Sequence, residues 1–174
     1  MNMAFTSYKI KTASEEEICS HLYCCNDNFM PPLIQRVDID EYSKKIFDRA
    51  ITFEAWHYKV LIGLVAAYFN DSSDCTGYIT NVSVNLNCMG NGIATTLMNN
   101  CLEYARQCNI KYITLEVEKS NYSTIRLYEK FGFKEAETRG SSVLMKLYFF
   151  NNDCHEKTND CIKINKGDAR ERSQ

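Results

Sequence analysis

Residues Asn85 to Gly92 read NLNCMGNG and lead directly into a segment with apolar residues at helical spacing. Gly90 and Gly92 permit positive φ and a close approach of backbone to a bound group. A helix beginning at Gly92 aims its first N–H groups, and the positive end of its dipole, into that loop. This is an anion site suited to a pyrophosphate, and the same residues also compose an ordinary tight turn. No G-K-[ST] follows, and Thr95 stands where a dinucleotide fingerprint has its third glycine. The nine cysteines are a second source of chemistry (Cys19, Cys24, Cys25, Cys75, Cys88, Cys101, Cys108, Cys154 and Cys161). None forms a C-x-x-C pair, and their odd number argues against a disulfide framework. Cys154 and His155 are adjacent, a poor geometry for holding a metal with Cys161. Reduced, partly buried thiols and no metal are therefore expected.

The loop needs a strand before it and a helix after it. Gly77 to Val84 (GYITNVSV) reads as the strand, with Tyr78, Thr80, Val82 and Val84 on one face and Ile79, Asn81 and Ser83 on the other. Ile93, Ala94, Leu97, Met98, Cys101, Leu102, Ala105 and Cys108 form the helical stripe. Lys111 to Glu118 alternates strictly, with Ile113, Leu115 and Val117 opposite Thr114, Glu116 and Glu118. Asn121 opens a further helix, which Gly132 ends. Phe133 to Glu137 and Ser142 to Phe150 close the sheet.

Upstream, Tyr8 to Thr12 reads as a strand. Ser14 and Glu17 form a capping box for a helix to about Cys25. Asn26 to Val37 is a loop containing Pro31-Pro32. Asp38 caps a second helix with the stripe Ile39, Tyr42, Ile46, Phe47 and Ala50. Ile51 to Tyr58 is a strand, and Val60 to Phe69 (VLIGLVAAYF) is apolar throughout, as for a strand covered on both faces. The organisation is one domain over residues 1–150 and a polar tail over 151–174.

Hydrophobic residues make up 45% of the chain and charged residues 24%, as in ordinary globular proteins. The 20 Lys and Arg against 22 Asp and Glu give a net charge of -2, so no basic field is available for nucleic acid. The N-terminal residues lack the pattern of a targeting segment. The longest apolar run, Val60 to Phe69, is half of what a membrane span needs (about 20 residues). A cytoplasmic protein with neither nucleic-acid nor membrane partner is the expectation.

Leu115-Glu116-Val117, Asn121 and Leu127-Tyr128-Glu129-Lys130-Phe131-Gly132-Phe133 together resemble the C-terminal signature of the GCN5-related N-acetyltransferase (GNAT) family. Met89 to Leu97 (MGNGIATTL) is similar to that family's acetyl-CoA motif, Q/R-x-x-G-x-G/A. Met89 stands where the family has Gln or Arg, and Ala94 takes the final Gly/Ala position. The core resemblance covers Gly77 to Lys146, and the elements before it follow the family's order. It implies an α/β fold with a mixed, mostly antiparallel sheet flanked by about four helices. Its two central strands would splay at a bulge beside the acetyl-CoA site.

The resemblance implies acetyl-CoA as co-substrate, with pyrophosphate on the N–H groups of Met89, Gly90, Asn91, Gly92, Ile93, Ala94 and Thr95. The pantetheine arm would add like a strand beside Val82, Ser83 and Val84, with Asn121 as a hydrogen-bonding partner that also caps its helix. Met89 carries no charge, so weaker coenzyme binding than with Arg is expected. Transfer to an amine needs a neutral nucleophile, donors for the charge growing on the carbonyl oxygen, and a proton for the leaving thiolate. Val82 to Val84 would supply the donors. Tyr128, with an ordinary phenol pKa of about 10, is the expected acid beside the sulfur, and its alternative is a packed core tyrosine. Glu116, twelve residues before it, is the expected base, directly or through water; its alternative is to orient substrate or bridge to a cation. Asn81 occupies a position where some relatives carry an acid.

Phe29 and Arg36 in the first loop, with Asn81, are the expected acceptor contacts. The stretch Pro31 to Phe53 is similar to family members encoded with surface-polysaccharide genes, which implies an amino-sugar nucleotide as the small-molecule amine. The pair Glu116 and Tyr128 also resembles relatives that acetylate ribosomal proteins, so a peptide N-terminus stays open. So does a module that binds acyl-CoA without turnover. The aromatic strand end Leu147 to Phe150 suits either a homodimer interface or packing against the tail.

Overall fold

The computed structural model describes residues 5–70 and 74–149; the tail, with Cys154, His155 and Cys161, and Phe150 lie outside them. The elements are β1 (Thr6–Ile10), α1 (Glu15–Cys24), α2 (Ile39–Arg49), β2 (Ile51–His57), β3 (Val60–Asn70), β4 (Thr76–Val84), α3 (Ile93–Gln107), β5 (Tyr112–Glu118), α4 (Tyr122–Lys130), β6 (Lys134–Arg139) and β7 (Ser142–Tyr148). The strands form one sheet in the order β1-β2-β3-β4-β5-β7-β6. Only β4 and β5 run parallel; every other pair is antiparallel. No helix among the described residues is long and apolar enough to cross a membrane.

Local chemistry sets the boundaries. Ser14 Oγ accepts from Glu17 N at 3.2 Å, and Glu17 returns the bond from Ser14 N at 2.8 Å, which closes both ends of the capping box. Asp38 caps α2 through the Glu41 N–H at 3.0 Å. β1 begins and ends two residues before the expected Tyr8 to Thr12. Lys11 turns into the left-handed region (φ 54°), and the Thr12 N–H goes to the buried Glu54 carboxylate at 2.9 Å.

Two cores lie on opposite faces of the sheet. Phe53, Val65, Leu97, Met98, Ile113 and Met145 fill the side covered by α3. Ile18, Leu22, Ile39, Ile46, Leu64 and Ala66 fill the side covered by α1 and α2. β3 contributes alternately to both, which is why its sequence is apolar without a break. The seven described cysteines are all free thiols. Phe47 departs from the α2 stripe: it is 38% exposed, with the Lys11 ammonium 5.4 Å from its ring centroid.

The alternation expected for β4 also breaks. Ala66 of β3 pairs with Asn81 and Ala67 with Ile79, so Thr80 is an extra residue in β4. Such a bulge reverses the side-chain parity. Ile79 therefore joins the same core as Val82 and Val84, while Asn81 and Ser83 turn toward α1.

Candidate active site

The bulge lies where β4 parts from β5. Parallel pairing runs from Thr76 and Tyr112 to Ile79 and Leu115 and stops there. β5 continues beside β7 to Glu118. The β4 edge from Thr80 to Val84 consequently has no strand partner on the β5 side. It opens into a cleft of about 950 Å³.

One end of the cleft is the glycine loop. Gly90 and Gly92 hold φ of 77° and 75°, and a Cβ on either would meet nothing within 4 Å. Backbone sign, not crowding, therefore demands glycine there. Thr96 N makes the first helical bond, to Gly92 O at 3.0 Å, so the N–H groups at the start of α3 face the loop. Gly63 on β3 lets α3 sit close to the sheet: a Cβ there would lie 2.8 Å from Ile93 Cγ2. Two expectations for this loop change. The Met89 N–H turns inward to Leu86 O at 3.2 Å, so the outward donors begin after it. Asn91 does not line the cleft; its side chain donates to the Cys88 and Met89 carbonyls at 3.1 Å each and braces the turn.

Val82, Ser83, Val84, Met89, Gly90, Gly92, Ile93, Ala94, Thr95, Glu116, Asn121 and Tyr128 all line the cleft, as do Phe29, Arg36 and Asn81. Tyr128 is 7% exposed and its ring packs against Phe133 with centroids 6.0 Å apart. Burial pushes its phenol above the ordinary pKa of 10, so it stays protonated at neutral pH. Asn121 caps α4 by accepting from Thr124 N at 3.2 Å.

Glu116 has both oxygens engaged. Ser142 Oγ donates to one, and the Arg139 guanidinium lies 3.8 Å from the other. Both partners come from the β6–β7 hairpin. A carboxylate held this way is fixed in orientation in the cleft wall. Arg36 is exposed and is in no ion pair among the described residues. Asn28, also in the cleft lining, donates to Val84 O at 3.2 Å and ties the first loop to β4.

Family comparison settles what this arrangement belongs to. The model of the Acetyltransferase (GNAT) family matches residues 16–133, more than half of the chain. The chain is a member of that family. The GCN5-related N-acetyltransferase 6, chloroplastic, of Arabidopsis thaliana is 32% identical over 80 residues. That match covers 46% of this GNAT chain and spans 28% of the plant protein's length. The fold is similar to the PaiA N-acetyltransferase of Thermoplasma acidophilum solved with coenzyme A, with 16% identity, TM-score 0.64, and coverage of 82% of this chain and 99% of that one. It is also similar to the ribosomal-protein-S18-alanine N-acetyltransferase of Escherichia coli, with 16% identity, TM-score 0.67, and coverage of 86% and 100%.

Three cleft features of the GNAT chain escape the motif reading. Arg126 and Lys130 of α4 bring positive charge to the wall, and their signal was a pair of cations four residues apart on one helix. Tyr78 lines the cleft as well. His21 of α1 is 3% exposed and lies behind the cleft, with Nε2 2.9 Å from Ser83 Oγ. Its signal was a lone histidine between the core residues Ile18 and Leu22.

Proposed function

We propose that this chain transfers the acetyl group of acetyl-CoA to a primary amine by direct attack, with no covalent acetyl-enzyme. The observation that carries the reading is the unpaired β4 edge ending beside the loop of Gly90 and Gly92. The residues present fit the coenzyme. Outward N–H groups and a helix N-terminus suit a pyrophosphate, the open strand edge suits the amides of pantetheine, and Arg126 and Lys130 offer the charge that Met89 lacks. Acetyl-CoA brings an activated acyl group as a thioester. The N–H groups along Val82 to Val84 are the donors for charge on a carbonyl oxygen. Tyr128 holds a proton on its hydroxyl for a departing thiolate. Glu116, oriented by Ser142 and Arg139, draws a proton from the amine through a water.

The acceptor side favours a small amine that carries an anionic group. Arg36 has no acidic partner among the described residues and lines the same cleft as Phe29 and Tyr78, which suits a phosphate or carboxylate carried with a ring. An amino-sugar nucleotide combines these features. Calorimetric titration with acetyl-CoA and with CoA tests the coenzyme first, and saturable binding near one per chain is expected. A parallel acetylation screen then compares amino-sugar nucleotides with peptides bearing a free N-terminus. No binding at high coenzyme concentration would sink the enzyme reading, and turnover of peptides alone would sink the small-molecule acceptor.

A further inference from the structure

We infer that the acceptor site continues out of the cleft, past Tyr78, onto the open face of the sheet, and that Lys146 is a specificity-determining residue there, binding a phosphate or carboxylate that the acceptor carries a few bonds from its amine. The amine's part in it rests on the acetyl-transfer reading; the anion subsite does not.

Strand register builds the subsite. Tyr68 pairs with Tyr78, Tyr78 with Thr114 and Thr114 with Lys146, so the four make one row across β3, β4, β5 and β7. Residues paired in this way share a face. Their chain neighbours Ala67, Ile79, Ile113 and Met145 belong to the core beneath α3, so the row lies on the opposite face. A groove of about 390 Å³ opens over it, lined also by Tyr112 and Arg139. Groove and cleft are continuous. Tyr78 lines both, and its hydroxyl faces Glu116 from β5, Arg36 from the first loop and Arg139 from β6. Glu116 pairs with Leu144, which places Lys146 on the diagonal from it, about 7–8 Å away between backbone positions.

Charge decides what the groove takes. The Lys146 ammonium lies 4.2 Å from the Tyr112 ring centroid and 5.5 Å from that of Tyr148. Ring faces attract a cation but leave its N–H groups without an oxygen to bond. Lys146 is in no ion pair among the described residues. Lys134, its partner on β6, adds a second positive charge at that end of the row. Glu137 is the one acid lining the groove, and the Arg139 guanidinium holds it at 2.8 Å. A half-buried ammonium held against two rings, with no anion of its own, favours a phosphate or carboxylate. An amine at Glu116 and an anion at Lys146 then set a length for the acceptor that a short amine does not reach.

The test is a length series on the full chain with acetyl-CoA. It uses ω-aminoalkyl phosphates of two to eight methylenes, ω-amino carboxylates of matched length and the corresponding uncharged amino alcohols. For one or both anionic series, kcat/KM should peak at about four to five methylenes and exceed that of the matched alcohol about tenfold. Lys146→Met should bring this ratio close to one, and Lys146→Arg should keep it. In parallel, 15N nuclear magnetic resonance follows the addition of 4-aminobutyl phosphate, with and without CoA. The backbone amides of Tyr78, Thr114 and Lys146 should shift in the parent and in Lys146→Arg, and not in Lys146→Met. Equal rates for anions and alcohols, a preference that ignores length, or shifts that survive Lys146→Met would overturn the inference. Absence of turnover with the Lys146-dependent shifts intact would count against the acetyl-transfer reading and leave the anion subsite standing.

Discussion

Replacing Gly63 by alanine tests how the anion loop is seated. The added Cβ would lie 2.8 Å from Ile93 Cγ2 and 3.1 Å from Leu97 Cδ1. Ordinary contact begins at 3.4 Å, so α3 must retreat by about 0.6 Å at its first turn. Inserting one methyl into a packed core costs about 1–3 kcal/mol. For a chain of this size, that lowers Tm by roughly 2–4 °C per kcal/mol. The shift falls on Ile93, next to Gly92, and so moves the N–H groups assigned to the pyrophosphate. A bond from N–H to a charged oxygen contributes about 1.5–3 kcal/mol, and losing most of one weakens CoA about tenfold. Fluorescence of Trp56, the single tryptophan, follows unfolding, and calorimetry gives the Kd. Unchanged Tm and unchanged Kd together would refute the claim that close packing at Gly63 positions the loop. A lower Tm with unchanged Kd would refute its second half.

Gly92→Ala should cost about 1–2 kcal/mol because φ stays positive, and Gly92→Asn should recover part of it, as asparagine tolerates that region; thermal unfolding checks both. Tyr128→Phe should lower kcat by about 10²- to 10⁴-fold with the CoA Kd unchanged, and a kcat within threefold of the parent would remove Tyr128 as the acid. His21 binds a proton more weakly folded than unfolded, its pKa falling from 6.5 to about 4. Its contribution is complete above pH 6.5 and is lost as pH drops toward 4, about 3 kcal/mol in all. His21→Gln should flatten that part of the stability curve in denaturant titrations at stepped pH, and an unchanged slope would contradict a buried neutral ring.

The sequence made legible what depends on neighbours within one element. Ser14 with Glu17, Asp38 with Glu41, and the unbroken apolar run of β3 each carry their structural role within a few residues. Gly90, Gly92, Glu116 and Tyr128 were legible through family resemblance, and all four line one cleft. What escaped depends on register between distant strands. The partners of Glu116 come from Ser142 and Arg139, which meet it only because β5 pairs with β7. His21 reaches Ser83 across 62 positions of sequence. Met89 looked like a phosphate donor because a motif lists positions and not the direction of an N–H. Phe47 fits the α2 stripe by spacing, yet its ring is 38% exposed and takes the Lys11 ammonium instead of the core.

The extra residue at Thr80 behaves like a frameshift in a two-letter alphabet. Before it, odd-numbered positions of β4 belong to the core beneath α3; after it, even-numbered positions do. Any mutant library or sequence comparison that treats Thr76 to Val84 as one alternating strand would place polar residues in the core on one side of Thr80. Deleting that single residue would make Ile79 and Asn81 consecutive opposite Ala67 and Ala66, keeping every later side chain on its present face while removing the bulge itself. A one-residue insertion between Asn81 and Val84, by contrast, would move the side chains after it to the opposite face, and is the change this strand is least able to absorb.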